Sequence, residues 1–232
     1  MPESEFMIRP VPTPQRPLLG QTVLLVEDSR YSSEAVRQLA LRSGARIRRA
    51  DCMASAERHL LTYRAGVAII DIGLPDGCGL ELIRRLARAS QRPTVLLGTS
   101  GREASEVEQE TLDAGADGFL AKPIESLAAF QQVILRHLPP EFWPKGLRVV
   151  GSETVKPDRL ALSEDLIYAE RLLADDRVEP RFVADFLAGL ARTGNDDDLL
   201  RQTRGLADRT MDDLRPRLRA LISARLENRE IV

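Results

Sequence analysis

A chain of 232 residues, 43% hydrophobic and 29% charged, has the make-up of an ordinary globular protein and room for one large domain or two modest ones. Its 33 basic and 35 acidic residues leave a formal net charge of −2, which excludes a global pull toward nucleic acid or anionic lipid, so any such role needs a local patch. No apolar run approaches the ~18 to 20 residues that span a bilayer.

Residues 1–20 carry Pro2, Pro10, Pro12, Pro14 and Pro17 and no apolar stretch of the kind a secretion signal needs. They are expected to form a disordered or loosely draped, proline-containing tail. From residue 21 to 138, short apolar strands alternate with amphipathic helical stretches, the pattern of a parallel sheet with crossover helices. The strands are expected at Thr22 to Val26, Ala45 to Ala50, Val67 to Ile70, Thr94 to Gly98 and Gly118 to Ala121. Helical stripes fall on Val36, Leu39 and Ala40; on Leu82, Ile83 and Leu86; and on Leu127, Phe130, Val133 and Ile134, while Gly115 reads as a helix stop. The two cysteines, Cys52 and Cys78, lie in this region without CxxC or metal-ligand spacing, which suits a reducing, cytoplasmic setting.

Pro139-Pro140 and Trp143-Pro144-Lys145-Gly146 break the pattern, because a proline pair does not continue a helix. Residues 139–157 are therefore expected as a linker and 158–232 as an all-helical domain. In that domain Ser163 would cap a helix bearing Leu166, Ala169 and Leu173, and Pro180 would open a second with Phe182, Val183, Phe186 and Leu190 on one face. Gly194-Asn195 would end it; a third would start at Asp196 to Asp198, and a fourth would run from near Asp213 through Leu218, Leu221, Ile222 and Leu226.

In a parallel α/β sheet the loops at the carboxyl ends of the strands converge on one edge, where ligands bind. Read together, those loops offer Glu27 and Asp28, then Asp71, then Thr99, Ser100 and Gly101, then Lys122-Pro123. Asp28 and Asp71 with a nearby carbonyl suit a hard divalent ion such as Mg²⁺, with Glu27 assisting. Asp71 is then the nucleophile toward a phosphoryl group, and Lys122 with a hydroxyl stabilises the transferred charge.

Val26-Glu-Asp-Ser29, Asp71-Ile-Gly-Leu-Pro75-Asp-Gly-Cys-Gly79, Ser100-Gly101 and Phe119-Leu-Ala-Lys122-Pro123, in that order, resemble the receiver family of bacterial response regulators over Thr22 to Leu138. The resemblance implies a doubly wound α/β fold with a five-stranded parallel sheet in the flavodoxin-like order 2-1-3-4-5, here followed by a C-terminal all-α domain. It implies that Asp71 is the phosphoacceptor, that Glu27 and Asp28 form the acidic Mg²⁺ pocket, and that the backbone carbonyl of Gly73 joins the metal. Lys122 would contact the phosphoryl group, and Phe119 would be the switch aromatic. The switch hydroxyl is Ser100, because Gly101 is the small neighbour that the family has after it, with Thr99 in reserve. Gly73 departs from relatives that carry a bulky side chain there, which would leave the acyl phosphate more open to water. The family's partners are a sensor histidine kinase or a phosphotransfer protein. Such a protein is a switch more than an enzyme, taking a phosphoryl group from donors and losing it slowly.

Other chemistry fits less well. A haloacid-dehalogenase-like phosphatase would have a second acid where Gly73 stands, and a dinucleotide fold would have GxGxxG where Glu27-Asp28-Ser29-Arg30 stands. The only histidines, His59 and His137, precede residue 139, so the helical half is no histidine phosphotransfer module. Its apolar stripes suit homodimerisation or docking of a downstream protein. DNA binding is the alternative, from Arg201, Arg204, Arg209, Arg215, Arg217, Arg219, Arg225 and Arg229. A third reading is an aspartyl-phosphate phosphatase helix, since Asp198 and Gln202 place an acid and an amide on one face at i, i+4.

Overall fold

The structure, a computed structural model, describes residues 10–146, 151–155, 158–206 and 211–227. Strands β1 (Thr22–Val26), β2 (Arg46–Ala50), β3 (Val67–Asp71), β4 (Val95–Ser100) and β5 (Gly118–Ala121) form a parallel sheet in the order β2-β1-β3-β4-β5. Between and after them run α1 (Arg30–Arg42), α2 (Met53–Thr62), α3 (Gly79–Ala87), α4 (Ala104–Asp113) and α5 (Leu127–His137). The central strands are apolar on both faces because both faces are covered. Val23, Leu25 and Ile69 join a core with α1 and α5, whereas Leu24, Val26 and Ile70 join a second core with α2, α3 and α4. Gly115 takes φ +101° just past α4, the left-handed position a side chain would resist. A hairpin of Gly73–Leu74 with Gly77–Cys78, not expected from the sequence, brings Asp76 over the start of α2. There its carboxylate accepts from Met53 N at 2.8 Å and Ala54 N at 2.9 Å.

Both flanking segments send an apolar side chain into the α1/α5 core. The proposed tail is folded from residue 10 onward; residues 1–9, with Pro2, lie outside the described residues. Leu18 is fully buried in the α1/α5 core, and its N–H donates to Ser43 O at 2.9 Å. Apolar burial outweighs the prolines here. Of the expected linker, Val155 is buried in the same core and donates its N–H to Glu125 O at 2.9 Å.

Helices α6 (Arg159–Ala174), α7 (Pro180–Thr193), α8 (Asp197–Arg204) and α9 (Met211–Glu227) make up the C-terminal half. Their apolar stripes pack on one another and on Tyr31 of α1. The face read as a docking surface is thus used within the chain. The expected cap Ser163 sits inside α6, where its hydroxyl donates to Arg159 O at 3.2 Å, and Asp158 caps the helix instead. Pro180, Gly194-Asn195 and Asp196 take the expected boundary positions. Several arginines considered for DNA hold this half together. Arg215 donates to the carbonyls of Leu173 and Val178, Arg219 to Leu173, and Arg225 to the carboxylates of Asp196 and Asp198. Arg201 pairs with Asp198 and Arg204 with Glu103, while Arg209 and Arg229 lie outside the described residues. No helix among the described residues is long and apolar enough to cross a membrane.

Candidate functional site

The carboxyl ends of β1, β3, β4 and β5 bring Glu27, Asp28, Asp71, Gly73, Ser100 and Lys122 around one cavity. Gly79, which opens α3, allows that loop to fold back tightly: its N–H donates to Ile72 O at 2.9 Å, and a Cβ there would run into the Asp71 carbonyl. Lys122 ends the β5 loop before a cis bond to Pro123. Its side chain is only 4% exposed, and Nζ lies 2.5 Å from Asp71 Oδ2 and 2.6 Å from Glu27 Oε2. The other Asp71 oxygen accepts from Gly73 N at 3.0 Å. Glu27 Oε1 accepts from Ser29 N at 3.2 Å.

One buried cation serves three buried acids. Burial works against the Lys122 ammonium, but Asp71 and Glu27 more than offset it, so its pKa stands well above that of an ordinary lysine. Burial first, then the charge of Asp71, pushes Asp28 up to about 8. Burial also raises Glu27 well above the usual carboxylate range against the opposing pull of Lys122. Asp28 Oδ2 is buried and has no hydrogen-bond partner among the described residues. Oxygens of Glu27, Asp28 and Asp71 lie within 4.8 Å of one another. An unpartnered carboxylate oxygen inside an all-oxygen acidic cluster fits a hard divalent cation that makes up the missing charge.

The two hydroxyl candidates separate clearly. Ser100 lines the cavity and its Oγ accepts from Arg102 N at 3.0 Å, whereas Thr99 turns into the sheet and donates to Leu120 O at 2.7 Å. Phe119 is half-buried against the α2/α3/α4 core and does not line the cavity. Gly73 is exposed on the hairpin, and a Cβ there would have only Asp71 Oδ1 nearby, at 4.0 Å.

Sequence reasoning did not find the opposite wall of this cavity, which consists of Phe182, Asp185, Phe186, Gly189 and Leu190 of α7. Nor did it find Asp165 of α6. That residue is 1% exposed, and its carboxylate accepts from Ser29 Oγ at 2.7 Å, Arg30 N at 2.8 Å and Tyr31 N at 2.9 Å, so it caps α1 from a helix far along the chain. Its burial raises its pKa, against the pull of those same donors. Nothing in the local sequence distinguishes Asp165 from the other acids of an amphipathic helix. The Asp198/Gln202 pair lies elsewhere: Gln202 Nε2 donates to Asp198 Oδ2 at 2.7 Å on the exposed side of α8, and neither residue lines the cavity.

Residues 23–134 match the family model described as the response regulator receiver domain. The chain is 35% identical over 116 residues, 49% of its length and 51% of the relative's, to the KDP operon transcriptional regulatory protein KdpE of Escherichia coli (strain K12). It is 34% identical over 116 residues, again 49% of its own length and 51% of the relative's, to the virulence transcriptional regulatory protein PhoP of Salmonella typhimurium (strain 14028s / SGSC 2262). The chain therefore spans about half the length of the curated relatives it matches. Among solved structures, the chemotaxis response regulator CheY4 of Vibrio cholerae aligns with 51% of this chain and 98% of its own, at 26% identity and a TM-score of 0.47.

Proposed function

We propose, since residues 23–134 are a response regulator receiver domain, that this chain is a phosphorelay switch in which Asp71 accepts a phosphoryl group from the phosphohistidine of a sensor kinase or phosphotransfer protein. The observation that carries this reading is the buried Lys122 ammonium bridging Asp71 and Glu27 beside the unpartnered Asp28 oxygen. With its three carboxylates ionised, such a cluster is one divalent charge short of balance.

Glu27, Asp28 and Asp71, with the Gly73 carbonyl, would hold Mg²⁺, which when bound offsets the repulsion between the carboxylates and the incoming phosphoryl group. An Asp71 oxygen supplies the electron pair for the new P–O bond as the P–N bond breaks. The departing imidazole keeps the bonding pair and takes its proton from solvent. Lys122, already at Asp71, then neutralises part of the phosphoryl charge, and the Ser100 hydroxyl stands ready to donate to it. Phe119 follows Ser100 as the switch aromatic. The chain acts as a switch in the cytoplasm, with no turnover chemistry beyond taking up and slowly losing the phosphoryl group.

The helical half supports a protein-directed output over a DNA-directed one, because Arg215, Arg219 and Arg225 are engaged in its own packing. The test is incubation with phosphoramidate and Mg²⁺, followed by intact mass. One phosphoryl group is expected on the native chain and none on Asp71→Asn or in excess chelator. Incorporation into Asp71→Asn at the native rate would sink the assignment.

A further inference from the structure

The two edges of the receiver sheet carry opposite charge. Residues 42–64, which run from the end of α1 through β2 and α2, hold six arginines and two acids, whereas residues 103–113, which contain α4, hold five acids and no base. Arg46, Arg48, Arg58 and Arg64 are exposed, and among the described residues none of them forms an ion pair. Glu57, next to Arg58, is taken by Arg85 at 2.5 Å. On α4, Glu103 and Glu106 meet Arg192, Arg204 and Arg102, but Glu108 and Glu110 further along are exposed and form no ion pair among the described residues. Each region also exposes a leucine: Leu61 of α2, 87% exposed, and Leu112 of α4.

These charges do not meet within one chain. In the order β2-β1-β3-β4-β5, β2 and β5 are four strand spacings, roughly 19 Å, apart, and α4 lies over β4 and β5. A close-packed sheet does not fold over to bring its edges together. The formal net charge of −2 hides this separation: the molecule is nearly neutral as a whole and dipolar across its sheet. Charge on an edge strand ordinarily discourages a second strand from adding to it. That role accounts for repulsion of another basic edge, and it leaves an acidic helix as a surface the β2 edge attracts.

We propose that the β2 edge of one chain docks on the α4 face of a second copy, head to tail. A two-fold dimer does not satisfy both patches, because they lie at opposite edges and the two-fold axis sets one of them against its own like. Head-to-tail contact leaves a free patch at each end, so copies add in sequence and do not stop at two. Leu61 and Leu112 supply an apolar centre, and the ion pairs around it are solvent-exposed, so the contact is weak and sensitive to salt. The contact is independent of the chemistry at Asp71.

The test is light scattering on the full chain over a concentration series, at about 0.01 M salt, where exposed charges act over about 30 Å, and at about 1 M, where they act over about 3 Å. The native chain is expected to reach at least about twice the monomer mass at the lower salt and to return to the monomer at the higher. Arg46→Glu with Arg48→Glu makes both patches acidic, and Glu108→Arg with Glu110→Arg makes both basic. Each doubly substituted chain alone is expected to stay monomeric. Mixed in equal amounts, the two are expected to regain the native mass, because the acidic α4 of the first meets the basic β2 edge of the second, and the two reversed patches also match. A misfolded chain is not rescued by mixing, and far-ultraviolet dichroism checks each variant beforehand. A native chain that stays monomeric at low salt overturns the proposal, as does native-like association of either variant alone. Failure of the mixture to regain mass overturns it too, and retention on duplex DNA of the native chain but not of Arg46→Glu with Arg48→Glu would then assign the basic edge to nucleic acid.

Discussion

In the receiver half, Glu27, Asp28, Asp71, Ser100 and Lys122 come from four different strand ends and meet at one point, each chosen for its charge or its hydroxyl. In the helical half, Leu166, Leu187, Leu190 and Leu218 meet at one core and are chosen only for being apolar and of the right size. The first set tolerates few alternatives, because a buried ammonium among buried carboxylates fails when a member is exchanged. The second tolerates many, because volume-conserving apolar exchanges keep a core. The difference explains why one half announces its chemistry and the other announces only that it packs.

The contrast can be broken most directly at Lys122. Lys122→Ala removes the single cation shared by Asp71 and Glu27. Phosphoramidate labelling is expected to fall by roughly 100-fold, the scale on which loss of one charge-stabilising donor acts. If labelling stays near the native rate, the site does not depend on a particular residue, and the comparison between the halves fails.

The helical half should respond to volume instead. Leu187 is fully buried, so Leu187→Ala is expected to cost about 2 to 5 kcal/mol of that half's stability. Trp143, the only tryptophan, donates Nε1–H to Leu138 O at 2.8 Å and reports on the receiver side, while far-ultraviolet dichroism reports total helix. In urea the dichroism midpoint should drop, with the tryptophan transition moving much less. Equal shifts in both would mean that the shared contact at Tyr31 and Asp165 makes the two halves one cooperative unit.

A smaller effect comes from pH. With its pKa raised from 3.8 to about 8, Asp28 keeps a proton in the native chain that it loses in the unfolded one. That contribution to stability is complete below about pH 4 and disappears as pH rises through about 8. In chelator, the melting temperature should therefore fall by a few degrees between pH 6 and pH 8, and Asp28→Asn should flatten the slope. Mg²⁺ should restore the loss most at pH 8, because its binding displaces the proton. A melting temperature that rises over this range in chelator would contradict the assignment of a protonated Asp28.

How much was legible follows the same division. The apolar runs from Thr22 to Ala121 and the loop acids after them led to the sheet and most of the site, because strand period and loop chemistry are local properties. Helix α2 carried no stripe to read, since Ala56 is its only buried residue and its N-terminus is capped by the distant Asp76. Leu18 and Val155 looked like parts of a tail and a linker because their burial depends on α1 and α5, far along the chain. Ser163 looked like a cap, yet Asp158, five residues earlier, satisfies the first turn. Asp165 and Gly189 gave no signal, because a helix face does not encode which loop it will cover. The choice between Ser100 and Thr99 needed the direction of each side chain at the strand end.

The mildest prediction concerns the pair in the helical half that most resembles chemistry. Asp198 and Gln202 have the spacing of a water-orienting acid and amide, but Gln202 Nε2 is held by Asp198, and Asp198 also receives Arg225 Nη2 at 2.7 Å. The wall facing Asp71 belongs to α7, and α8 contributes nothing to it. For Gln202 to orient water on an Asp71 acyl phosphate, α8 would have to replace α7 over the cavity, which breaks the bonds from Arg225 of α9 to Asp196 and Asp198. Gln202→Ala is therefore expected to leave the decay of phosphoryl-Asp71 unchanged, measured as loss of label after removal of phosphoramidate. A slower decay in the variant would mean that the helical half carries chemistry as well as packing, and that its motif, read from sequence alone, was the better guide.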